Sequence, residues 1–209
     1  MFWRWSARLV LAFAAAVLPA TLIKASLSNS EPTPAHTSLA GQLLIATPSM
    51  GDPRFSQTVI LMVKHDGNGA FGIVINRPVG ERPTAQILEA LGESVSGAEG
   101  SVRIFVGGPV QPSSGFVIHS AEYRRAETVV IDGHVAMTSS RDVLRDIAAN
   151  KGPKKQIVAF GYSGWGPGQL EAELKADAWY TAPADVKLIF DDDRDKVWDN
   201  AMARRPRDI

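Results

Sequence analysis

From Leu39 onward, short apolar blocks alternate with Gly-, Pro- and Asp-containing breaks. Three blocks, Leu43–Ala46, Thr58–Lys64 and Phe71–Asn76, carry the β-branched bias of strands. Between the second and third stands His65-Asp66-Gly67-Asn68-Gly69, whose Asp-Gly and Asn-Gly steps supply the positive φ of a hairpin turn. Thr84–Leu91 has helical spacing, with Thr84 as its expected cap. Arg103–Val106, Phe116–His119, Thr128–Ile131 and Val135–Thr138 read as further strands. Ser139 and Ser140 then precede a predicted helix from Arg141 to about Asn150, with Asp142 in its first turn, where the helix dipole favours an anion. Gln156–Gly161 has the pattern of a buried strand and Pro167–Ala178 that of a short helix. Trp179–Tyr180 and Val186–Phe190 are expected as the last strands, and Lys196–Ala203 as a terminal helix. Several strand pairs are joined too tightly for crossover helices. The pattern therefore predicts one α/β domain over 39–209 with a mainly antiparallel or mixed sheet and flanking helices.

The first 38 residues have a different character. Arg4 and Arg8 precede an uncharged, mostly apolar run from Leu9 to Ile23, the layout of an export signal. Residues 1–25 are thus expected to act as a cleaved signal peptide or as a signal-anchor, with 9–23 as an inner-membrane tether. Both readings place the body in the periplasm or on the periplasmic face of the inner membrane. Residues 26–38 (SLSNSEPTPAHTS) are too poor in bulky apolar groups to offset ordering entropy and read as a flexible linker.

Composition narrows the function by exclusion. No cysteine is present, which removes disulfides, thiolate metal sites and cysteine nucleophiles. Setting aside Arg4, Arg8, Lys24 and Glu31 from 22 basic and 22 acidic residues leaves 19 and 21, a net charge of −2. Phosphate contacts dominate the affinity of nucleic-acid binders, so nucleic acid is not the expected partner of such a body.

The candidate chemistry is scattered. Asp52, in Asp52-Pro53-Arg54-Phe55, suits either a ligand contact or a proline turn. Histidine as a residue type titrates near neutrality, which makes His65 and His119 acid/base candidates, with Asp52 or Asp66 as the carboxylate partner of a hydrolase. Asn76-Arg77 closes a strand, and Arg77 suits either a carboxylate or phosphate clamp or a strand-end pin. Gly107-Gly108 exposes backbone N–H groups to an anion or makes a tight turn. Trp165 and Glu171 flank a glycine-rich helix entry; Glu171 and Glu173, two apart, fall on different helix faces. Gly161-Tyr162-Ser163-Gly164-Trp165 is one position short of a nucleophile elbow. His65, His119 and His134 show no i,i+4 pairing and there is no HExxH, so no metal or cofactor is implied. The catalytic residues, if any, and the oligomeric state are not legible.

Six blocks stand in a recognisable order: Gly41–Phe55, His65–Pro78, Gly107–Val110, Gly115–Ser120, Thr138–Leu144 and Gly161–Leu174, the last followed by Ala178-Trp179. Together they make residues 39–203 resemble the AlgH/YqgE family of bacterial proteins. The resemblance implies an α/β fold whose bifurcated sheet curls into a pseudo-barrel, and no established biochemical activity. It also implies a suggested role in transcriptional regulation, without a DNA-binding motif, and a cytoplasmic location. The N-terminal segment departs from that pattern. The expected function is a non-catalytic small-ligand- or protein-binding regulatory domain. A hydrolase and a transcriptional regulator are the alternatives.

Overall fold

The computed structural model describes residues 37–190 and 193–206. The expected signal segment and most of the expected linker, His36 included, lie outside the described residues. Ten strands and five α-helices follow one another in the body. Strands β1 (Gln42–Ala46), β2 (Val59–Asp66) and β3 (Gly69–Val74) form an antiparallel meander, and β10 (Trp179–Pro183) pairs with the outer side of β1. The β2–β3 hairpin turns on Gly67-Asn68, with Asp66 opposite Gly69 and the Asp66 carboxylate accepting from the Asn68 N–H at 2.8 Å.

Strand β9 (Gln156–Trp165) is the branch point. Its last residues, Ser163–Trp165, pair with β3, while its first half lies between β5 (Ser101–Val106) and β6 (Val110–Ser120). β5 runs parallel to β9; every other pairing is antiparallel. β6 continues to β8 (Val135–Thr138) and then β7 (Thr128–Val130), and β4 (Pro78–Pro83) edges β5. The sheet is therefore bifurcated and curls into a half-barrel, the fold class expected.

Alternation along the strands assigns two faces. Leu43, Ile45, Leu61 and Ile73 point into a core closed by Ile118, Met137 and Ile157 from the far limb of the curl. Helices α4 (Val186–Phe190) and α5 (Val197–Arg204) cap that core with Leu188, Ile189, Val197 and Ala201. Leu44, Ala46, Ile60 and Met62 face the other way, onto Trp165, Trp179 and Leu170 of α3 (Gln169–Lys175). Helices α1 (Thr84–Ala90) and α2 (Asp142–Ala148) cover a third cluster on Val102, Val117 and Val158. Among the described residues no helix is long and apolar enough to cross a membrane.

Three local expectations are corrected. Val186–Phe190 is a helix, not a strand: the Asp185 carboxylate accepts from the N–H groups of Lys187 and Leu188 at 2.8 and 3.1 Å and starts the turn. The five residues Val-Lys-Leu-Ile-Phe are too few to show a period that separates the two states. Thr84 does not cap α1; Pro83 holds that position and the Thr84 hydroxyl is buried without a partner. β4 was not expected from Pro-Val-Gly-Glu-Arg-Pro, a composition that only an edge strand tolerates.

Candidate functional site

Four of the sequence blocks meet along one groove. The loop after β1 makes a 3₁₀ turn at Pro53–Phe55, started by Asp52, whose Oδ1 accepts from the Arg54 N–H at 2.9 Å. The Arg54 guanidinium returns to the same carboxylate, Nη2 to Oδ2 at 2.6 Å, and holds its pKa below the usual carboxylate range. Asp52 is thus a proline-turn residue paired with its neighbour.

Asn76 and Arg77, just past β3, hold this loop from behind. The Asn76 Nδ2 donates to the Gln57 carbonyl at 2.8 Å, and its Oδ1 accepts from the Val59 N–H at 2.9 Å. Arg77 Nη2 donates to the Ser56 carbonyl and, at 3.0 Å, to Thr58 Oγ1. Arg77 is a strand-end pin. Gln57 sits at φ 51°, a left-handed conformation that these bonds maintain.

Gly107 and Gly108 cross the bend of β9. The Gly107 N–H donates to the Phe160 carbonyl at 2.7 Å, and its carbonyl accepts from the Val74 N–H at 2.8 Å. A Cβ on Gly107 would stand 2.3 Å from the Gly161 carbonyl oxygen, and one on Gly108 (φ 151°) 2.2 Å from the Tyr162 carbonyl carbon. The backbone crossing by itself requires glycine at both positions.

The wall of the groove is aromatic. Trp165 and Trp179 stand edge to face at 6.2 Å, and Phe55 meets Trp179 at 5.5 Å. Both indole N–H groups donate to one oxygen, Glu173 Oε2, each at 2.8 Å, while Gln169 Nε2 donates to Glu173 Oε1 at 3.0 Å. The Glu173 carboxylate therefore takes three neutral donors and, among the described residues, no cation. Beside it Ser163 is 1% exposed and its hydroxyl has no hydrogen-bond partner.

These groups enclose a cleft of about 500 Å³ lined by Asp52, Phe55, Ser163, Trp165, Glu173 and Trp179. Arg54, Phe55 and Pro109 carry it into a second cleft of about 550 Å³ with Asn76, Arg77 and Gly108. The groove thus brings together Asp52, Asn76, Arg77, Gly108 and Trp165 of the expected residues. Gly107 lies behind it.

His65, Glu171 and His119 line neither cleft. His65 Nδ1 accepts from the Leu39 N–H at 3.1 Å, which puts its proton on Nε2, 2.9 Å from Glu171 Oε1. That contact fastens α3 to β2, and it confirms that Glu171 and Glu173 leave the helix on different faces. His119 is fully buried; its Nδ1 donates to the Ser120 carbonyl at 3.0 Å, so its Nε2 accepts from Thr138 Oγ1 at 2.8 Å. The Thr138 oxygen accepts in turn from Thr128 Oγ1 at 2.7 Å. Burial pushes the His119 pKa down, and the bond to the Ser120 carbonyl opposes that shift only in part. Neither histidine is hydrogen-bonded to Asp52 or Asp66. Asp66 is engaged by Lys64, the main cause of its lowered pKa, and by the Asn68 N–H. The expected hydrolase pairing is not assembled. Among the described residues no group of three or more His, Asp or Glu is placed to hold a metal ion.

The sequence pattern does not single out Glu173, Ser163, Phe55 or Trp179 as site residues; Glu173 stands there only as off the Glu171 face, and Ser163 only in a motif one position short of a nucleophile elbow. One signal was present: Gln169 and Glu173 are four apart beside two tryptophans, whose buried indoles need acceptors.

Comparison with known proteins places this geometry. A family model described as AlgH-like matches residues 43–209. A UPF0301 protein of Jannaschia sp. strain CCS1 is 44% identical over 166 residues, covering 78% of this chain and 86% of the relative. One of Rhodospirillum rubrum is also 44% identical, covering 79% and 86%. The solution structure of the AlgH protein from Pseudomonas aeruginosa is similar with TM-score 0.69 and 43% identity, over 81% of this chain and 90% of that one. A family model over residues 43–209, relatives at this identity and a shared half-barrel agree: this chain belongs to the AlgH-like family.

Proposed function

We propose that the body is a non-catalytic binding domain whose site is the tryptophan-walled groove, taking a small ligand or a short protein segment. The observation that carries this reading is the Ser163 hydroxyl, buried and unpartnered in the wall of that groove. A buried hydroxyl without a partner costs stability, and a ligand polar atom in the cleft would relieve it. Glu173 supports the same reading, since the indole donors hold its carboxylate in one orientation. The reading is a binding one because neither histidine is brought to a nucleophile in the groove.

The test uses Gly51, which is exposed, lines the cleft and has nothing within 4 Å of where a Cβ would stand. Full-length wild type and Gly51→Trp are immobilised side by side, and retained small molecules and peptides are identified by mass spectrometry. Compounds held by the wild type and lost from G51W support the proposal. Equal retention by both, or none by either, refutes it.

Export of this domain by residues 1–25 forms part of the proposal and rests on the Arg4, Arg8 and Leu9–Ile23 pattern. Alkaline phosphatase fused after Ile209 reports it: activity that depends on residues 1–38 supports export, and inactivity with and without them opposes it.

A further inference from the structure

On the far limb of the curl, two clefts adjoin at Leu91 and Phe160. One, of about 460 Å³, lies between α1 and the β4–β5 ribbon, over Val79, Ile87, Ala90 and Ile104. The other, of about 360 Å³, lies at the start of α2 and is rimmed by Ser113, Ser114, Ser139, Ser140 and Arg141. The result is a trough with an apolar end and a hydroxyl-rich end. Each is of a size that takes a small organic ligand.

Two observations define what would fill it. First, Val79 is 59% exposed at the mouth of the apolar end, with Ile104, Leu91 and Phe160 only partly covered behind it. Grouped rather than scattered apolar exposure of this kind marks a binding surface. Second, the charges are one-sided. Arg82 lines the apolar cleft, Arg141 lines the polar one, and no carboxylate lines either. The body as a whole carries slightly more acidic than basic residues, so this bias is local.

Arg141 remains open to a further anion. Its Nη1 donates to the Leu91 carbonyl at 3.0 Å, and Glu93 reaches it only at 3.9 Å, being engaged by Arg145 at 3.0 Å. The Arg141 side chain is 59% exposed. Among the described residues, Arg82 Nη1 donates to the Glu81 carbonyl at 2.9 Å and to no carboxylate. Among the described residues, Arg141 is the one cationic side chain lining the hydroxyl-rich cleft, which makes it the anion anchor there.

We infer that this trough is a second binding site, distinct from the tryptophan-walled groove, for a single-chain anionic amphiphile of the fatty-acid class. The chain lies over Phe160, Ile104 and Ile87, and the carboxylate pairs with Arg141. An arginine–carboxylate contact supplies direction, and the apolar end supplies chain-length preference.

Isothermal titration of the full chain with dodecanoate, below its micellar concentration, tests the assignment. Hexanoate and dodecyltrimethylammonium serve as the short-chain and cationic probes. Gln86 and Ala90 are exposed and line the apolar cleft, so Ala90→Trp and Gln86→Trp each plug it without entering the core. The site predicts saturable one-to-one binding of dodecanoate, weakened about tenfold in R141A and lost in A90W and in Q86W, both with unchanged melting. Hexanoate and the cation bind far more weakly. Absence of saturable dodecanoate binding overturns the inference, as does binding that survives both plugs or equal binding of the cation.

Discussion

Glu173 and Trp165 are eight residues apart, yet one carboxylate oxygen of the first accepts the indole N–H of the second and that of Trp179, both at 2.8 Å. Trp165 ends β9 and Trp179 begins β10, so this single oxygen joins the branch-point strand to the edge strand through α3. Removing it strands two buried donors. Glu173→Leu is expected to lose about 2–4 kcal/mol, the cost of leaving two buried donors unsatisfied. Glu173→Gln keeps an acceptor and should lose about 1 kcal/mol. Denaturant unfolding followed by tryptophan fluorescence measures both; equal losses would show that the carboxylate is not the shared acceptor.

The crossing at Gly107-Gly108 makes a sharper demand on sequence. A methyl group at either position would stand 2.2–2.3 Å from backbone atoms of Gly161 or Tyr162, and backbone cannot rotate aside as a side chain can. Gly107→Ala and Gly108→Ala are each expected to destabilise by about 3 kcal/mol, the upper part of the range for overpacking a close contact. Gly51→Ala and Gly67→Ala, with nothing within 4 Å, should stay close to wild type. Melting temperatures of the four variants check the contrast.

The same crossing shows how far the sequence could be read. Strands with five or more alternating or uniformly apolar residues, such as Val59–Val63, were legible because burial on both faces of a central strand leaves a continuous run. The place of the hairpin and the mainly antiparallel sheet followed from spacing, but of the two glycines expected at positive φ in the turn only Gly69, at 124°, has it. Gly107-Gly108 was visible as unusual, but chain-local pattern does not tell a glycine facing a ligand from one facing another strand. That distinction depends on Gly161 and Tyr162, more than fifty residues away. His65 and His119 were ambiguous for the same reason: their partners, Glu171 and Thr138, lie 106 and 19 residues off. Val186–Phe190 failed differently, because five residues are too few to express a period.

Asn76 supplies a prediction about dynamics. Its side chain takes the Val59 N–H and gives to the Gln57 carbonyl, so it holds the loop that carries Asp52, Arg54 and Phe55. Asn76→Ala leaves the buried Val59 N–H unpaired and should cost about 2 kcal/mol. Amide exchange over 51–58 should accelerate well beyond that global loss, while exchange in β6 and β8 follows stability alone. Uniform acceleration across all three regions would remove the loop-holding role.

His119 sets the response to mild acid. Its folded-state pKa lies below the ordinary histidine value because burial disfavours the imidazolium, with Glu122 pulling weakly upward and Arg124 downward. The unfolded chain therefore binds a proton at a higher pH than the fold does. Stability is fully present above the unfolded value of about 6.5 and falls as the pH drops below it, by up to about 1.4 kcal/mol per pH unit until the folded histidine also titrates. Protonation would also cost the bond from the Thr138 hydroxyl, since Nε2 then has no lone pair to accept it. Melting temperature should thus decline between about pH 7 and pH 5 in the wild type. His119→Gln, less stable at neutral pH, should decline by less over the same interval. Parallel curves would assign the acid sensitivity to other groups.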